Sequence, residues 1–212
     1  MTENSLGLIL RTRPLTDTSL IIHWLTPDFG RLATVAKGAR RAKSPFAGKL
    51  DLFYLAEFSF QRSRRSELHQ LREVSLRETH AAIRGELEYL QQASYCTALV
   101  EQTTEMETPI PEIYSLLARL LHHVSRQPPQ PQTLFAFEIK LLSELGLQPD
   151  FEKDKLNPDL KQILRILLVS DWPALTRLKL SRPQVTGLRQ YLHGFILHHL
   201  GKIPHSRGRL ST

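Results

Sequence analysis

The first 78 residues alternate between apolar and polar positions, and short turns separate the alternating runs. In DTSLIIHWLT, for example, Leu20, Ile22 and Trp24 fall on one side of a period-two pattern. Alternation over about four to eight residues is typical of a half-buried β-strand. Five runs of this kind predict a small β-barrel or sandwich; they are LGLILRTR, DTSLIIHWLT, RLATVAKG, LDLFYLAEFSF and ELHQLREVSL.

Beyond residue 78 the apolar residues recur every three or four positions, which is the period of an amphipathic helix. Stripes run from Ile113 to Val124 and from Leu134 to Leu145, and Gly146 follows the second stripe as a helix stop. Further helices are predicted from about 83 to 106, from 159 to 170 and from 184 to 200.

This change of period predicts an α+β fold. The long connection after the third predicted strand favours a five-stranded Greek-key barrel of the OB type. We therefore predict an OB-fold domain over residues 1–78 and an all-helical domain over residues 79–212. A linker and helix without cysteine occupy about 150–183.

The composition adds a cationic excess, with 28 Lys and Arg against 21 Asp and Glu and a formal net charge of +7. An excess of this size favours a polyanionic partner, of which nucleic acid is the commonest. An anionic membrane surface or an acidic protein is the alternative. The excess is concentrated locally, because no acidic residue occurs between Arg31 and Leu50.

This cationic stretch is the first candidate site. Gly38, Pro45 and Gly48 predict a flexible loop whose Lys and Arg neutralise phosphates, and Phe46 is a candidate for stacking on a base. A second cationic turn and the C-terminal segment are further candidates. The alternatives are a solvated loop that aids solubility and a frayed polar terminus. The candidate DNA-binding residues are Arg31, Lys37, Arg40, Arg41, Lys43, Phe46, Lys49, Arg62, Arg64, Arg65, Lys202, Arg207 and Arg209.

The sequence predicts no catalytic residue, no metal site and no cofactor. Cys96 is the only cysteine, which excludes an internal disulfide and a cysteine-based zinc site. The paired histidines at 122–123 and 198–199 are adjacent, so the two side chains of each pair point about 100° apart on a helix and cannot chelate together. Glu138 falls on an apolar helical stripe, where it either pairs with a cation or lies at the edge of the stripe.

The expected compartment is the cytoplasm. The first residues, MTENSLGLILRTRP, lack the basic and apolar regions of a signal peptide. The apolar runs, such as ILRILLV, are too short to span a bilayer.

Three stretches resemble one known family. They are DTSLI followed by TPDFGRLATVAKGAR in residues 17–40, FEIKLLSELG in residues 137–146, and LGKIPHSRGRL in residues 200–210. In this order they resemble the RecO family of recombinational repair mediators, over almost the whole chain. The first motif is quite specific, and the other two are weaker alone.

The resemblance implies an N-terminal OB fold, a helical C-terminal body and no catalytic residue. It also implies binding of single- and double-stranded DNA, annealing of complementary strands, and loading of recombinase onto DNA coated by single-strand-binding protein. The implied partners are RecR, single-strand-binding protein and, indirectly, the recombinase filament. A contact with the tail of single-strand-binding protein is implied at Phe137, Lys140 and Leu141.

The chain departs from the family pattern at two places. Many members carry four cysteines of a zinc finger after the L-G helix, whereas DFEKDKLNPDLKQILRILL has none. Phe135 and Ala136 stand where some relatives are basic. Two rival functions stay open: an adaptor that docks the acidic tail of single-strand-binding protein and binds DNA weakly, and a nuclease with unrecognised acids.

Overall fold

The computed structural model describes residues 2–151, 153, 156–204 and 207 of the chain. Two compact units are present. The first consists of Met1–Ala81 and Thr104–Ala118, and the second of Ala82–Thr103 and Arg119–Thr212. The sequence-predicted boundary at residue 78 stays a prediction, and the segment 104–118 groups with the strands rather than with the helices that surround it in sequence.

The first unit contains a closed five-stranded barrel, as the alternation predicts. The strands follow one another around the barrel in the order β1-β2-β3-β5-β4. Neighbours are antiparallel except β3 and β5, which are parallel. This arrangement confirms the predicted α+β fold with an N-terminal OB-type barrel. The strands are β1 (Thr2–Pro14), β2 (Leu20–Thr26), β3 (Gly30–Ala36), β4 (Leu55–Gln61) and β5 (Leu68–Glu78).

An aromatic stack fills the centre of the barrel. Trp24 and Phe58 lie parallel with ring centroids 4.1 Å apart, and the Trp24 indole N–H donates to the Thr34 hydroxyl at 2.8 Å. Gly7 lies against this pair, and a Cβ at this position would fall 2.8 Å from the Phe58 ring. A side chain at Gly7 would therefore displace the stack.

The fourth strand begins at Leu55, later than the alternation from residue 50 predicts. The chain turns at Phe53, which has a φ of 65° and a side chain that is only 1% exposed. The Phe53 N–H donates to the Ile9 carbonyl at 2.9 Å, so the turn is tied to β1. In the sequence, the buried Phe53 continues the apolar pattern of the strand although it lies in a turn, so the strand is predicted to begin too early.

The segment 104–118 returns to the barrel end. Met106 forms a parallel bridge with Arg31, and the Glu107 N–H donates to the Arg31 carbonyl at 2.9 Å. Gly30 has a φ of 67°, and a Cβ there would lie 1.8 Å from the Thr108 carbonyl oxygen. Only glycine fits this approach.

The remaining elements are helical. Five of the described helices carry a proline in the first turn, where its missing N–H costs nothing. Ser181 and Gln184 form a capping box at the start of the last helix. Within the described residues, each helix is too short or too polar to cross a bilayer. The helices are α1 (Ala82–Gly85), α2 (Leu87–Thr103), α3 (Pro111–Val124), α4 (Pro131–Glu144), α5 (Pro158–Val169), α6 (Trp172–Leu175) and α7 (Arg182–Leu200).

A buried ion pair lies in the core of the helical unit. Glu138 of α4 is 0% exposed and accepts from the Arg207 guanidinium at 2.7 and 2.9 Å and from the Tyr95 hydroxyl at 2.6 Å. The expectation that Glu138 pairs with a cation is confirmed. Burial alone would lower the pKa of Arg207, but the hydrogen bond and charge of Glu138 raise it above its ordinary value. Burial, followed by the charge of Glu138, raises the pKa of the Tyr95 hydroxyl.

Candidate nucleic-acid interface

The cationic residues 37–49, here called the basic loop, fold as a chain of tight turns. The Arg41 N–H donates to Gly38, Ser44 to Arg41, and Lys49 to Phe46, each to the carbonyl three residues before at 3.0 to 3.1 Å. Gly38 has a φ of 71°, which the turn requires. Successive turns therefore order the backbone of the loop, and the flexibility that its glycines predict stays a prediction.

Phe46 fixes this loop to the barrel. Its side chain is 7% exposed and belongs to the core cluster that contains Ile9, Trp24 and Phe60. The sequence places Phe46 as an exposed base-stacking residue, whereas the structure uses most of its surface for core packing. Because the neighbours of Phe46 in the sequence are charged, local pattern does not predict that its ring is buried.

Four cations of the basic loop are exposed to solvent: Lys37, Arg40, Arg41 and Lys43. In the described part of the chain, none of the four is ion-paired with a carboxylate. The Arg40 guanidinium donates to the Thr16 carbonyl at 3.1 Å, which leaves its charge uncompensated. Lys49 is half-buried.

The Arg40 backbone connects the loop to the turn between β1 and β2. Its N–H donates to the Thr18 carbonyl at 3.0 Å, close to the side-chain contact with Thr16. The two loops therefore form one continuous surface on the barrel. The turn between β1 and β2 is one of the two loops that flank the oligonucleotide-binding face of OB folds, and the basic loop is hydrogen-bonded to it.

Arg31 contacts protein rather than solvent. It is half-buried, and its guanidinium donates to the Thr104 carbonyl, next to the backbone bridge with Met106. The cation thus helps to hold the segment 104–118 on the barrel end.

Arg62 also has protein partners. It donates to Glu3 at 2.9 Å, contacts Glu107 and lies 5.6 Å from the centre of the Phe29 ring. The hydrogen bond from Arg62 lowers the pKa of Glu3. Two carboxylates and an aromatic face compensate this guanidinium, unlike the guanidinium groups of the basic loop.

The remaining candidate DNA-binding residues differ in their exposure and partners. Arg64 and Arg65 are exposed in the turn between β4 and β5, where the Ser63 hydroxyl accepts from the Arg65 N–H at 3.2 Å. Lys202 is exposed, whereas Arg207 is 6% exposed in its ion pair with Glu138. Arg209 lies outside the described residues.

Two further arginines extend the cationic surface along β1. Arg11 and Arg13 are exposed, and they face His23 and Ile21 of β2 in the strand register. Arg13 donates to His23 Nε2 at 3.2 Å. The alternation R-T-R places both arginines on the side of β1 opposite to Thr12, which is the sequence signal that reveals them.

These arginines perturb the histidine between them. Burial, followed by the charges of Arg11, Arg13 and Arg31, lowers the pKa of His23 to about 4. Because a guanidinium only donates, Nε2 of His23 must be unprotonated in this contact. A neutral imidazole among cations marks a strongly positive site.

Residues 1–80 match the family model described as "Recombination protein O N terminal", and residues 84–155 match "Recombination protein O C terminal". The chain belongs to the RecO family. It is 29% identical over 153 residues to the "DNA repair protein RecO" of Bacillus pumilus, covering 72% of this chain and 59% of that protein. The protein of the same name from Rhodopirellula baltica is 31% identical over 144 residues, covering 68% and 53%.

A third RecO relative, from Syntrophus aciditrophicus, is 29% identical over 170 residues, covering 78% of this chain and 66% of that protein. The chain therefore spans between about half and two thirds of the length of these RecO relatives. The matched region includes the barrel, with the basic loop and Arg11 and Arg13.

The RecO resemblance assigns the tail of single-strand-binding protein to Phe137, Lys140 and Leu141. Phe137 is 0% and Leu141 1% exposed, so both pack in the helical core. Lys140 is half-buried and donates to the Leu168 carbonyl, and burial lowers its pKa. Of the three, Lys140 has the solvent-accessible part.

The cysteine-free region predicted at about 150–183 contains α5 and α6. Among the described residues there is no group of His, Cys, Asp and Glu side chains arranged to hold a metal ion. Cys96 is buried in α2, and burial raises the pKa of its thiol.

Proposed function

We propose that this chain binds single- and double-stranded DNA through the basic loop and acts as a recombination mediator in DNA repair. The observation that carries the proposal is the set of four exposed loop cations without carboxylate partners among the described residues. Such cations gain free energy when phosphates displace their counterions. Arg11 and Arg13 enlarge the surface on β1.

Annealing follows from the same surface without a catalytic residue. Cations that screen two phosphate backbones lower their repulsion and bring both strands to one protein, and base pairing then supplies specificity. The proposed role includes loading recombinase onto DNA coated by single-strand-binding protein, in the cytoplasm and together with RecR. Membership of the RecO family supports this role.

The test is charge reversal of Arg40 and Arg41. Arg40→Glu/Arg41→Glu should weaken binding to single- and double-stranded DNA about tenfold or more, for every sequence, because phosphate contacts carry no sequence information. Fluorescence anisotropy with labelled oligonucleotides measures both affinities. A matched control is Arg177→Glu/Lys179→Glu, which changes net charge equally at two exposed positions of the helical unit.

Equal weakening by both double variants would show that net charge, rather than the loop, determines binding. Unchanged DNA affinity in the loop variant would contradict the proposal. Annealing of complementary strands coated by single-strand-binding protein, with EDTA present, tests the mediator role. Tight binding of the acidic tail together with weak DNA binding would favour the adaptor, in which the loop meets an acidic protein.

A further inference from the structure

A cleft of about 670 Å³ opens on the barrel unit beside the basic loop. Pro45, Phe46 and Lys49 of the loop form one wall, and residues of β1, β4 and β5 form the others. Its volume lies within the range of about 300–1,000 Å³ that small-ligand sites occupy. The exposed loop cations that carry the proposed function do not line it.

A β-bulge shapes the far wall of the cleft. Ser59 pairs with Glu73 and Phe60 with Leu71, so Arg72 is an extra residue in β5. Because of the bulge, Arg72 and Glu73 are both exposed although they are neighbours on a strand, and both line the cleft. Bulges that redirect side chains are frequent beside binding sites.

The chemistry of the lining fits a nucleotide. Pro45 offers exposed apolar surface to a base, Phe46 and Val74 contribute only the 7% of their surface that the core leaves open, and Lys49 and Arg72 offer positive charge to a phosphate. Lys49 is ion-paired with no carboxylate in the part of the chain that the structure describes. Glu73 is an acceptor for the exocyclic amine of a base such as cytosine.

Two carboxylates lie in the lining beside the cations Lys49 and Arg72, so the lining is formally neutral. Glu57 is paired with Arg77 at 2.6 Å, and the Arg72 guanidinium donates to Gln61. Lys49 is a cation of the lining that is free of a carboxylate partner among the described residues, and it is the group that would meet a phosphate.

We propose that this cleft receives one nucleotide of a single DNA strand that lies along the basic loop. The inference rests on the proposed DNA binding. Pro45, Phe46 and Lys49 belong to the same loop as the exposed cations, so a strand bound by those cations lies within a few residues of the cleft lining along the chain. A base stacked inside a duplex cannot enter, and the cleft therefore distinguishes single strands from duplexes.

The test is to fill the cleft. Ser75 is exposed on β5 and lines the cleft, so Ser75→Trp reduces the space without opening the barrel core. Ser115→Trp is the matched control, because Ser115 is an exposed serine of α3 in the same unit. Circular dichroism confirms the fold of each variant. The probes are oligo(dC), oligo(dT), a hairpin duplex and a strand with one 2-aminopurine.

The wild type should raise the 2-aminopurine fluorescence when the base leaves its stack. Ser75→Trp should abolish this rise, weaken single-strand binding about tenfold and leave duplex affinity within about twofold. Glu73→Leu should remove a preference for oligo(dC) over oligo(dT), because leucine has no acceptor for the cytosine amine.

Single-strand affinity and fluorescence in Ser75→Trp equal to those of Ser115→Trp would overturn the cleft site. An equal loss of single-strand and duplex binding would overturn it too. If the cleft instead binds a peptide, Ser75→Trp weakens binding of an acidic, apolar peptide and not of DNA. The proposed function is tested separately, since Arg40→Glu/Arg41→Glu weakens both DNA forms whether or not the cleft holds a nucleotide.

Discussion

The basic loop and the C-terminal segment are both cationic in sequence, yet Arg40 and Arg41 of the loop and Arg207 of the C-terminal segment lie in opposite environments. Arg40 and Arg41 are exposed and have no carboxylate partner among the described residues. Arg207 is 6% exposed and is bound by both oxygens of Glu138. The sequence shows the charge of each side chain. It does not show whether folding places a carboxylate beside that charge.

The barrel unit repeats this contrast. Arg62 is compensated by Glu3, 59 positions away in the chain, as Arg207 is compensated by Glu138, 69 positions away. Under the proposed function, cations of the first kind, in the basic loop, bind a partner, whereas cations of the second kind pair with carboxylates of the fold. The following changes separate the two kinds.

The largest effect is expected from Arg207→Ala. It leaves Glu138 charged and buried without its cation, which should lower the free energy of unfolding by about 3–5 kcal/mol. Urea unfolding measures the change. Arg177→Ala, at an exposed position of the same unit, should change it by about 0.5 kcal/mol or less.

Replacing both members of the pair sharpens this prediction. Glu138→Leu/Arg207→Met removes both charges, so it should recover much of the stability that Arg207→Ala loses. A loss in Arg207→Ala no larger than in Arg177→Ala would show that the buried pair does not hold the C-terminal segment.

Phe46→Ala should destabilise the protein by about 3 kcal/mol, because it removes a buried ring from the barrel core. A residue used only for stacking on bases would cost little stability and much DNA affinity. Thermal unfolding without DNA distinguishes the two roles. An unchanged melting temperature would place Phe46 in the second role and contradict its packing.

Local patterns in the sequence predict most of the fold. Trp24 is assigned to the core because it shares a face with Leu20 and Ile22, and its ring stacks on Phe58 there. Gly146 is predicted as a helix stop, and α4 ends two residues before it with a glycine φ of 72°. In both cases the cause lies within a few residues of the effect, so periodicity and turn chemistry suffice.

The features that the sequence does not reveal have distant causes. The segment 104–118 joins the barrel because Gly30 accommodates Thr108, a contact across more than 70 residues that no local pattern contains. Phe46 looks exposed because its neighbours are cationic, and only the closed barrel provides its pocket. The loop is therefore predictable as a cationic surface, but its anchor and the cleft beside it are not.

The next effect concerns salt. Lys37→Ala/Arg40→Ala/Arg41→Ala/Lys43→Ala should reduce the slope of log affinity against log salt by about 2.8 on single strands, at about 0.7 for each lost phosphate contact. The fall in affinity between about 50 and 200 mM salt then becomes about fifty-fold smaller. Arg62→Ala should leave the slope unchanged and lower stability instead. If Arg62→Ala reduced the salt slope as much as the loop variant, exposed loop cations and carboxylate-paired cations would not differ in DNA binding.

The smallest expected effect is a change in the pKa of His23. It tests whether the DNA-binding surface extends from the basic loop to Arg11 and Arg13. Burial and three arginines hold its pKa at about 4, so it is neutral at pH 7. If phosphates bind Arg11 and Arg13, they offset the arginine field, and the pKa of His23 should rise toward the ordinary value of about 6.5. NMR titration of the imidazole with and without an oligonucleotide measures this pKa directly.

Linkage gives the sign of the accompanying change in affinity. A group whose pKa rises on binding takes up a proton, so DNA affinity should increase as pH falls from about 6.5 toward 4, and this increase should be smaller in His23→Gln. Other titrating groups are common to both proteins, so the difference between them isolates His23. A pKa that stays near 4 with DNA bound would contradict the expected offset of the arginine charges at His23, since burial, the largest cause of the low pKa, acts with or without DNA.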